Sequence, residues 1–222
     1  MLLSLKNLRV SYKNKEVIKG VDLDIAAGEN VALIGKNAIG KTTLANAIIG
    51  HPHLSVQGEI YFNGQKINNL SMSERSKLGI FLCFQFPPVL SGVKVYSFLR
   101  KIASNFSYKE LVDFLKKVQL PPAILERYIN EGFSGGERKR FELLQYLLVA
   151  PKLAIFDELD ANMDKETLNN LIKLIKNKPK TQSIIWITHN KQILENINFQ
   201  KIFILKDGKL FWKKDSRFHT SI

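Results

Sequence analysis

One eight-residue segment has residue types and a spacing that suit phosphate binding. It reads Gly35-Lys36-Asn37-Ala38-Ile39-Gly40-Lys41-Thr42, between an apolar run and a stretch of helical pattern. Glycine lets successive backbone N–H groups turn toward one anion, and a helix N-terminus adds unpaired donors with partial positive charge. The spacing predicts a P-loop, in which Lys41 reaches the β- and γ-phosphates of a nucleotide and the Thr42 hydroxyl binds Mg²⁺.

An acidic pair supplies what a P-loop needs for its metal. Asp157 and Glu158 come directly after the apolar run 153–156, which predicts a buried strand. A strand-end aspartate holds Mg²⁺ in P-loop enzymes, and Glu158 is placed to accept a proton from the attacking water. Alone, such a pair is more typical of a helix cap, but beside a P-loop it favours nucleotide hydrolysis.

A second segment predicts another helix start that can bind phosphate. Ser134-Gly135-Gly136-Glu137 places a good N-cap three residues before a glutamate, which is the spacing of a capping box. One nucleotide does not need two such sites from one chain. The sequence therefore predicts a dimer, with each nucleotide between the P-loop of one chain and the Ser134 segment of the other. An ordinary capped helix is the alternative.

The elements around these segments alternate between strand and helix patterns. Buried strands are predicted at 31–34, 79–84, 153–156 and 183–188, and helices at 43–49, 134–150 and 164–176. Residues 94–130 have helical periodicity, in a block that Pro121-Pro122 divides. This order predicts an α/β fold with a mainly parallel sheet. Two tryptophans, Trp186 and Trp212, are expected to pack within strands.

Composition narrows the possible classes of protein. The 222 residues are 45% hydrophobic, which excludes a disordered chain, and a single cysteine excludes both a disulfide framework and a metal cluster held by this chain's own thiolates. No apolar stretch reaches 18 residues, and Lys6 comes too early for a signal peptide. We expect a cytoplasmic protein with no direct membrane insertion.

The formal charge is +13, of which +8 lies in residues 165–222. Such a surplus suits nucleotides, nucleic acid, anionic lipid or an acidic subunit, although solvated helix faces account for it equally well.

Together the motifs resemble the ATP-binding-cassette (ABC) ATPases, over essentially the whole chain. The resemblance implies a P-loop NTPase of ABC type, with an antiparallel β subdomain and a helical subdomain beside the parallel sheet. It implies one domain over 1–222, with a nucleotide-binding core at 1–85 and 151–222 and a helical subdomain at 86–150. The implied reaction is hydrolysis of ATP to ADP and phosphate with Mg²⁺.

The resemblance also assigns roles to single residues. Gln85 stands at the Q-loop, which contacts Mg²⁺ and water, and His189 at the switch histidine, which contacts the γ-phosphate. Tyr12 stands at the aromatic position that stacks on adenine, and 160–164 at the D-loop, which crosses the dimer interface. The implied nucleotide-binding set is Tyr12, Gly35, Asn37, Ala38, Gly40, Lys41, Thr42, Thr43, Ser134, Gly135, Gly136 and Asp164, and the implied metal ligands are Thr42, Gln85 and Asp157.

Within the ABC ATPases the chain is most similar to the SufC family, the ATPases of the SUF system for iron–sulfur cluster assembly. The segments 84–93 and 130–140 are similar to its Q-loop and signature regions. The resemblance implies SufB- and SufD-like scaffold proteins as partners, docked on the helical block 86–130, and a homodimer on ATP binding. The D-loop departs from that family, which tends to have Ser-Gly-Leu-Asp where this chain has Ala161-Asn162-Met163-Asp164.

Two rival functions share the same nucleotide site. One is the ATPase subunit of an ABC membrane transporter, whose membrane partner is another chain. The other is an ABC protein that handles nucleic acid, which the charge suggests. The chain has no long coiled-coil insertion, zinc cysteines or second cassette, and this disfavours nucleic acid as a partner.

Overall fold

The computed structural model describes residues 1–103 and 105–213, in which strands and helices alternate as the sequence predicts. The strands are β1 (Leu3–Tyr12), β2 (Lys15–Ile25), β3 (Asn30–Ile34), β4 (Leu54–Phe62), β5 (Gln65–Lys66), β6 (Ile80–Cys83), β7 (Leu90–Lys94), β8 (Tyr128–Ile129), β9 (Leu153–Asp157), β10 (Ser183–Ile187), β11 (Lys201–Lys206) and β12 (Lys209–Trp212). The α-helices are α1 (Lys41–Ile49), α2 (Met72–Leu78), α3 (Val95–Ile102), α4 (Tyr108–Lys117), α5 (Gly135–Val149), α6 (Lys165–Lys176) and α7 (Lys191–Asn196), and a 3₁₀-helix covers Pro122–Glu126.

A six-stranded sheet positions the predicted nucleotide site. Its order is β12-β11-β3-β10-β9-β6, and all neighbours are parallel except the β11–β12 hairpin. The prediction of a mainly parallel sheet is confirmed. Because parallel strands end at the same edge, the residues after β3, β6, β9 and β10 meet there. Those residues begin with Gly35, Phe84, Glu158 and Thr188.

A second, antiparallel sheet covers one side of the first. Its order is β2-β1-β4-β5, with Leu3 opposite Ile25 on one side and Phe62 on the other. Its apolar face shares one buried core with α1 and part of the parallel sheet. This core holds α1, and therefore the P-loop at its start, in place.

The helical segment after β6 has its own share of core. Residues from α3, α4 and α5 pack together and against β9 and β10. The predicted division of the block 94–130 at Pro121-Pro122 is confirmed, since α4 ends before the two prolines; after them the chain forms the 3₁₀-helix 122–126 and strand β8, so the helical pattern does not continue to residue 130. Pro121 and Pro122 account for the break, because proline lacks the N–H that an α-helix interior needs. Strand β8 pairs with β7 in a small antiparallel sheet.

The two tryptophans differ from each other. Trp186 is fully buried in β10 between Phe156 and Phe199, as expected. Trp212 also lies in a strand, β12, as predicted, but its side chain is 58% exposed. Within residues 1–103 and 105–213, no helix combines the length and apolar character that crossing a bilayer requires. Residues 214–222 of the predicted core segment lie outside the described residues.

Candidate functional site

The P-loop runs from the end of β3 into α1 with a backbone that needs glycine at two points. Gly35 has a φ of 150° and Gly40 a φ of 113°. A Cβ at Gly35 would lie 2.5 Å from the Leu205 carbonyl oxygen, and one at Gly40 would lie 2.7 Å from Val17 Cγ1. Both distances are shorter than real Cβ contacts, so only glycine lets the loop pass this close to its neighbours.

Lys41 is buried and its ammonium group is held inside the loop. Its Nζ donates hydrogen bonds of 2.6 Å to the Gly35 carbonyl and 2.9 Å to the Lys36 carbonyl. Burial lowers the pKa of Lys41, while the nearby charges of Glu158 and Asp157 act in the opposite direction. The loop therefore presents a fixed positive charge beside its own backbone N–H groups, which is the arrangement that binds a polyphosphate.

Asp157 ends β9 next to Thr42, and its environment suits a divalent cation. Burial raises the pKa of this carboxyl, and a hydrogen bond with the Thr42 side chain partly offsets the rise. Its Oδ1 is buried and has no hydrogen-bond partner among the residues that the structure describes. A buried carboxylate oxygen without a partner is costly unless something else pairs with it. Asp157, Thr42 and Gln85 offer carboxylate, hydroxyl and amide oxygens, which are the kinds of ligand that Mg²⁺ prefers.

Glu158 turns its side chain toward Gln85, two residues after β6. Its backbone is left-handed, with a φ of 53°, and its N–H donates 3.1 Å to the Ile187 carbonyl of β10. Its Oε2 accepts a 2.6 Å hydrogen bond from Gln85 Nε2. A left-handed conformation costs a residue with a Cβ about 1 kcal/mol or more and is typical of functional positions.

Lys139 of α5 joins the same two segments, which the sequence analysis did not predict. Its Nζ donates 3.1 Å to the Glu158 carbonyl and 3.4 Å to the Gln85 carbonyl. No sequence motif predicts a contact between residue 139 and residue 85. The basic residues after Glu137 were the only available signal.

Eight of the predicted site residues line one cleft of about 410 Å³. They are Asn37, Ala38, Gly40, Lys41, Thr42, Thr43, Gln85 and Glu158. The cleft therefore joins the P-loop, the Q-loop position and Glu158 in one chain. His189 lies two residues after β10 and is exposed at its surface, and partial desolvation together with the Lys41 charge lowers its pKa, which favours the neutral imidazole.

The remaining predicted residues lie outside the lining of this cleft. Tyr12 is 46% exposed at the end of β1. Ser134 caps α5: its Oγ accepts 3.1 Å from the Glu137 N–H, and Glu137 Oε2 accepts 2.8 Å from the Ser134 N–H, which confirms the predicted capping box. Asp164 caps α6 through Thr167, and these hydrogen bonds lower the pKa of its carboxyl. Gly135 is exposed beside Ser134.

The family model and the similar proteins that the comparisons found all point to ATP-binding proteins of the ABC type. The family described as ABC transporter matches residues 18–161. A probable ATP-dependent transporter of Synechocystis sp. is 40% identical over 227 residues, covering 94% of this chain and 88% of that protein. A probable ABC transporter ATP-binding protein of Streptococcus pyogenes is 36% identical over 234 residues, covering 100% and 91%.

Among solved structures, a dimeric ATP-binding cassette in a post-hydrolysis state with ADP and Pi superposes with a TM-score of 0.81 at 23% identity. The match covers 97% of this chain and 99% of that one. At this identity the likeness concerns the fold.

Proposed function

The chain belongs to the ABC transporter family of ATP-binding cassettes, and from that membership we propose that it is a cytoplasmic ATPase subunit that dimerises around ATP and drives conformational change in a SufB/SufD-like scaffold for iron–sulfur cluster assembly. That it is an ABC ATPase follows from the family. The dimer, the partner and the roles of single residues are the proposal. The observation that carries it is the cleft that joins the P-loop to Gln85 and Glu158.

In the proposed reaction, residues in and beside the cleft have separate roles. Lys41 and the loop N–H groups bind the β- and γ-phosphates. Glu158 accepts a proton from water at its carboxylate, and Gln85 orients that water. Neutral His189 donates a hydrogen bond to the γ-phosphate. Bound at Thr42, Asp157 and Gln85, Mg²⁺ would neutralise charge on the phosphates.

The placement of Ser134 supports closure by a second chain. The N-terminus of α5 is exposed and does not line the cleft of its own chain. Its capping box uses the Ser134 hydroxyl as an acceptor from the Glu137 N–H, and the same side chain hydrogen-bonds the Glu137 carboxylate. In the proposed dimer, Ser134, Gly135 and Gly136 contact the nucleotide bound in the partner's cleft, with Tyr12 stacked on the adenine. Release follows hydrolysis because the γ-phosphate then no longer links the two chains.

The D-loop departure from the SufC family has a physical account that supports the assignment. Asn162 has a φ of 58° and is exposed. Glycine adopts this conformation freely, and asparagine is among the few other residues that tolerate it. Asn162 can therefore keep the backbone path of the glycine that SufC proteins tend to have there.

An apolar surface after the Q-loop supports docking of a protein scaffold. Phe86 is 84% exposed, and Val89, Leu90, Val93 and Tyr96 are each at least 37% exposed. Exposed apolar groups in one stretch of chain are typical of interaction sites. This surface starts one residue after Gln85, so a docked partner would sense changes at the nucleotide.

The alternative is the ATPase subunit of a membrane transporter, which the names of the relatives favour. In that case the same surface docks a membrane subunit. Purification from the source cell separates the two. We expect soluble SufB- and SufD-like proteins to co-purify, and we expect Phe86→Asp to lose them while Phe211→Asp, on the exposed strand β12, retains them. If a transmembrane subunit co-purifies instead, the transporter function is supported and the scaffold function is contradicted.

The dimer is tested on the Glu158→Gln variant with Mg·ATP by native mass spectrometry, with any partner subunits included. We expect paired chains with two nucleotides, and we expect Ser134→Arg to abolish pairing while Ser73→Arg, on α2, does not. Firm nucleotide binding without any pairing would reduce the proposal to a lone nucleotide-binding protein.

A further inference from the structure

Asp160 has a buried carboxylate. One of its oxygens accepts a hydrogen bond from β10, and the other accepts one from the residue that follows β10, just before His189. Oδ1 accepts 2.8 Å from Trp186 Nε1, and Oδ2 accepts 2.7 Å from Thr188 Oγ1. The residue is 6% exposed and Thr188 is fully buried. Burying a carboxylate is costly unless its oxygens are hydrogen-bonded, so these two bonds fix where Asp160 lies.

The donor and the acceptor of each hydrogen bond around Asp160 can be assigned. The Thr188 hydroxyl oxygen accepts 2.9 Å from the Asn190 backbone N–H. Since the ionised carboxylate can only accept, the hydroxyl proton of Thr188 is committed to Asp160. A chain of hydrogen bonds therefore runs from the Asn190 N–H through the Thr188 hydroxyl to Asp160. It includes the residues directly before and after His189.

On its other side, Asp160 continues into the exposed D-loop. The Ala161 N–H donates 3.0 Å to the Glu158 carbonyl, and the Met163 N–H donates 3.4 Å to the Asp160 carbonyl. Asn162, at the tip, is exposed. Asp160 thus lies between the loop that carries Glu158, the segment 161–163, of which Asn162 is exposed, and the residues 188–190 that include His189.

We propose that Asp160 is a positioning residue that makes the D-loop and the His189 turn move as one unit, so that contact of segment 161–163 with a second chain sets the place of His189. The proposal rests on the proposed function, because it needs ATP and a second chain. Asp160 does not touch the nucleotide in it. A shift of the D-loop either carries Thr188 with it or breaks a hydrogen bond to a buried charge.

Trp186 gives this coupling a direct readout. Its ring is fully buried and makes edge contacts with Phe156 at 5.1 Å and Phe199 at 6.4 Å between centroids, so the indole itself has little room to move. Movement of Asp160 then alters the hydrogen bond at Nε1, which changes indole fluorescence. The chain has two tryptophans, so Trp212→Phe leaves Trp186 as the only emitter.

The experiment uses the full chain with Trp212→Phe as background and compares Thr188→Val with Thr188→Ser. Valine keeps the volume and removes the hydroxyl, whereas serine keeps the hydroxyl. We expect valine to lower kcat about tenfold or more while the Kd for ATP changes less than about threefold, and serine to restore most of the rate. Asp160→Asn, which cannot accept from both donors through oxygen, is expected to lower kcat as valine does.

Trp186 emission separates positioning from simple loss of structure. We expect Mg·ATP, and not ADP, to change the emission of the background protein, and we expect Thr188→Val to lose this change although it still binds ATP. Equal kcat for valine and serine, or an ATP response that persists in Thr188→Val, would overturn the proposal while leaving the proposed function intact. A background protein that neither hydrolyses ATP nor pairs would instead contradict the proposed function, and with it this coupling.

Discussion

Gln85 Nε2 donates a 2.6 Å hydrogen bond to Glu158 Oε2, across a separation of 73 residues in the chain. Lys139 donates to the backbone carbonyls of the same two residues. The carboxylate proposed to accept a proton from water is therefore hydrogen-bonded to an amide. An amide donates only through nitrogen, so the Gln85 oxygen is left for a cation or water.

Glu158→Gln is expected to separate ATP binding from hydrolysis. The amide keeps the size of the side chain but cannot take a proton from water, so we expect kcat to fall by about 100- to 10,000-fold. The Kd for ATP should change less than about threefold, because Glu158 makes no contact with the P-loop backbone in the proposed reaction. Single-turnover hydrolysis and nucleotide titration measure the two quantities.

Glu195→Gln is the matched control, because Glu195 is an exposed carboxylate on α7. It should leave both kcat and Kd unchanged. Near-normal turnover in Glu158→Gln would remove Glu158 as the base.

Lys41→Ala is expected to act on binding itself. The variant removes the ammonium group that two loop carbonyls hold in place. The phosphates then lose a positive charge beside them, and the loop loses two hydrogen bonds that fix its shape. A hydrogen bond to a charged group contributes roughly 1.5 to 3 kcal/mol, which corresponds to a rise in the Kd for ATP of about 10- to 100-fold. Lys77→Ala, exposed on α2, is the control for loss of one positive charge. Unchanged affinity in Lys41→Ala would exclude this loop as the phosphate site.

Local motifs made the nucleotide site predictable, because a P-loop and a strand-end acidic pair each depend on a few neighbouring residues. The parallel sheet was predictable for the same reason, since buried strands are short apolar runs. Helix α2 was missed although Ser71 and Glu74 form a capping box that the sequence displays. The roles of the predicted site residues stay predictions.

Contacts between distant segments could not be read from the sequence. Arg75 caps α1 from α2, and Glu142 reaches from α5 to the residue before Gln85. Each depends on how helices pack on the sheet, and a lone arginine or glutamate in a helix looks like a surface residue. The buried state of both is visible only once the fold is assembled.

Arg75→Ala is expected to lower the free energy of unfolding by about 3 kcal/mol or more, because it leaves buried carbonyl groups without donors. The guanidinium is 3% exposed and donates to the Ala47 and Ile48 carbonyls at the end of α1, and to those of Leu70 and Asn68. Urea unfolding, with Lys77→Ala on the same helix as control, measures the difference. A loss below about 1 kcal/mol would show that water replaces these hydrogen bonds. Since α1 starts at the P-loop, ADP should recover part of the lost stability.

Glu142→Gln tests a buried carboxyl whose titration lies near neutrality. Burial raises the pKa of Glu142 from 4.5 to about 7, although its Oε2 accepts 3.0 Å from the Phe84 N–H. A raised pKa means that the protonated form is favoured in the folded state. The stability that this provides is complete below the unfolded pKa and is lost as the pH rises through about 7.

Glutamine cannot ionise and still offers an oxygen to the Phe84 N–H, so it should become relatively more stabilising as the pH rises. We expect the free energy of unfolding of Glu142→Gln, minus that of the wild type, to increase by roughly 2 to 3 kcal/mol between pH 5 and pH 8. Urea unfolding across this range measures it. Parallel curves for Glu142→Gln and the wild type would mean that Glu142 titrates as an exposed glutamate does, with water reaching its carboxyl group beside Phe84.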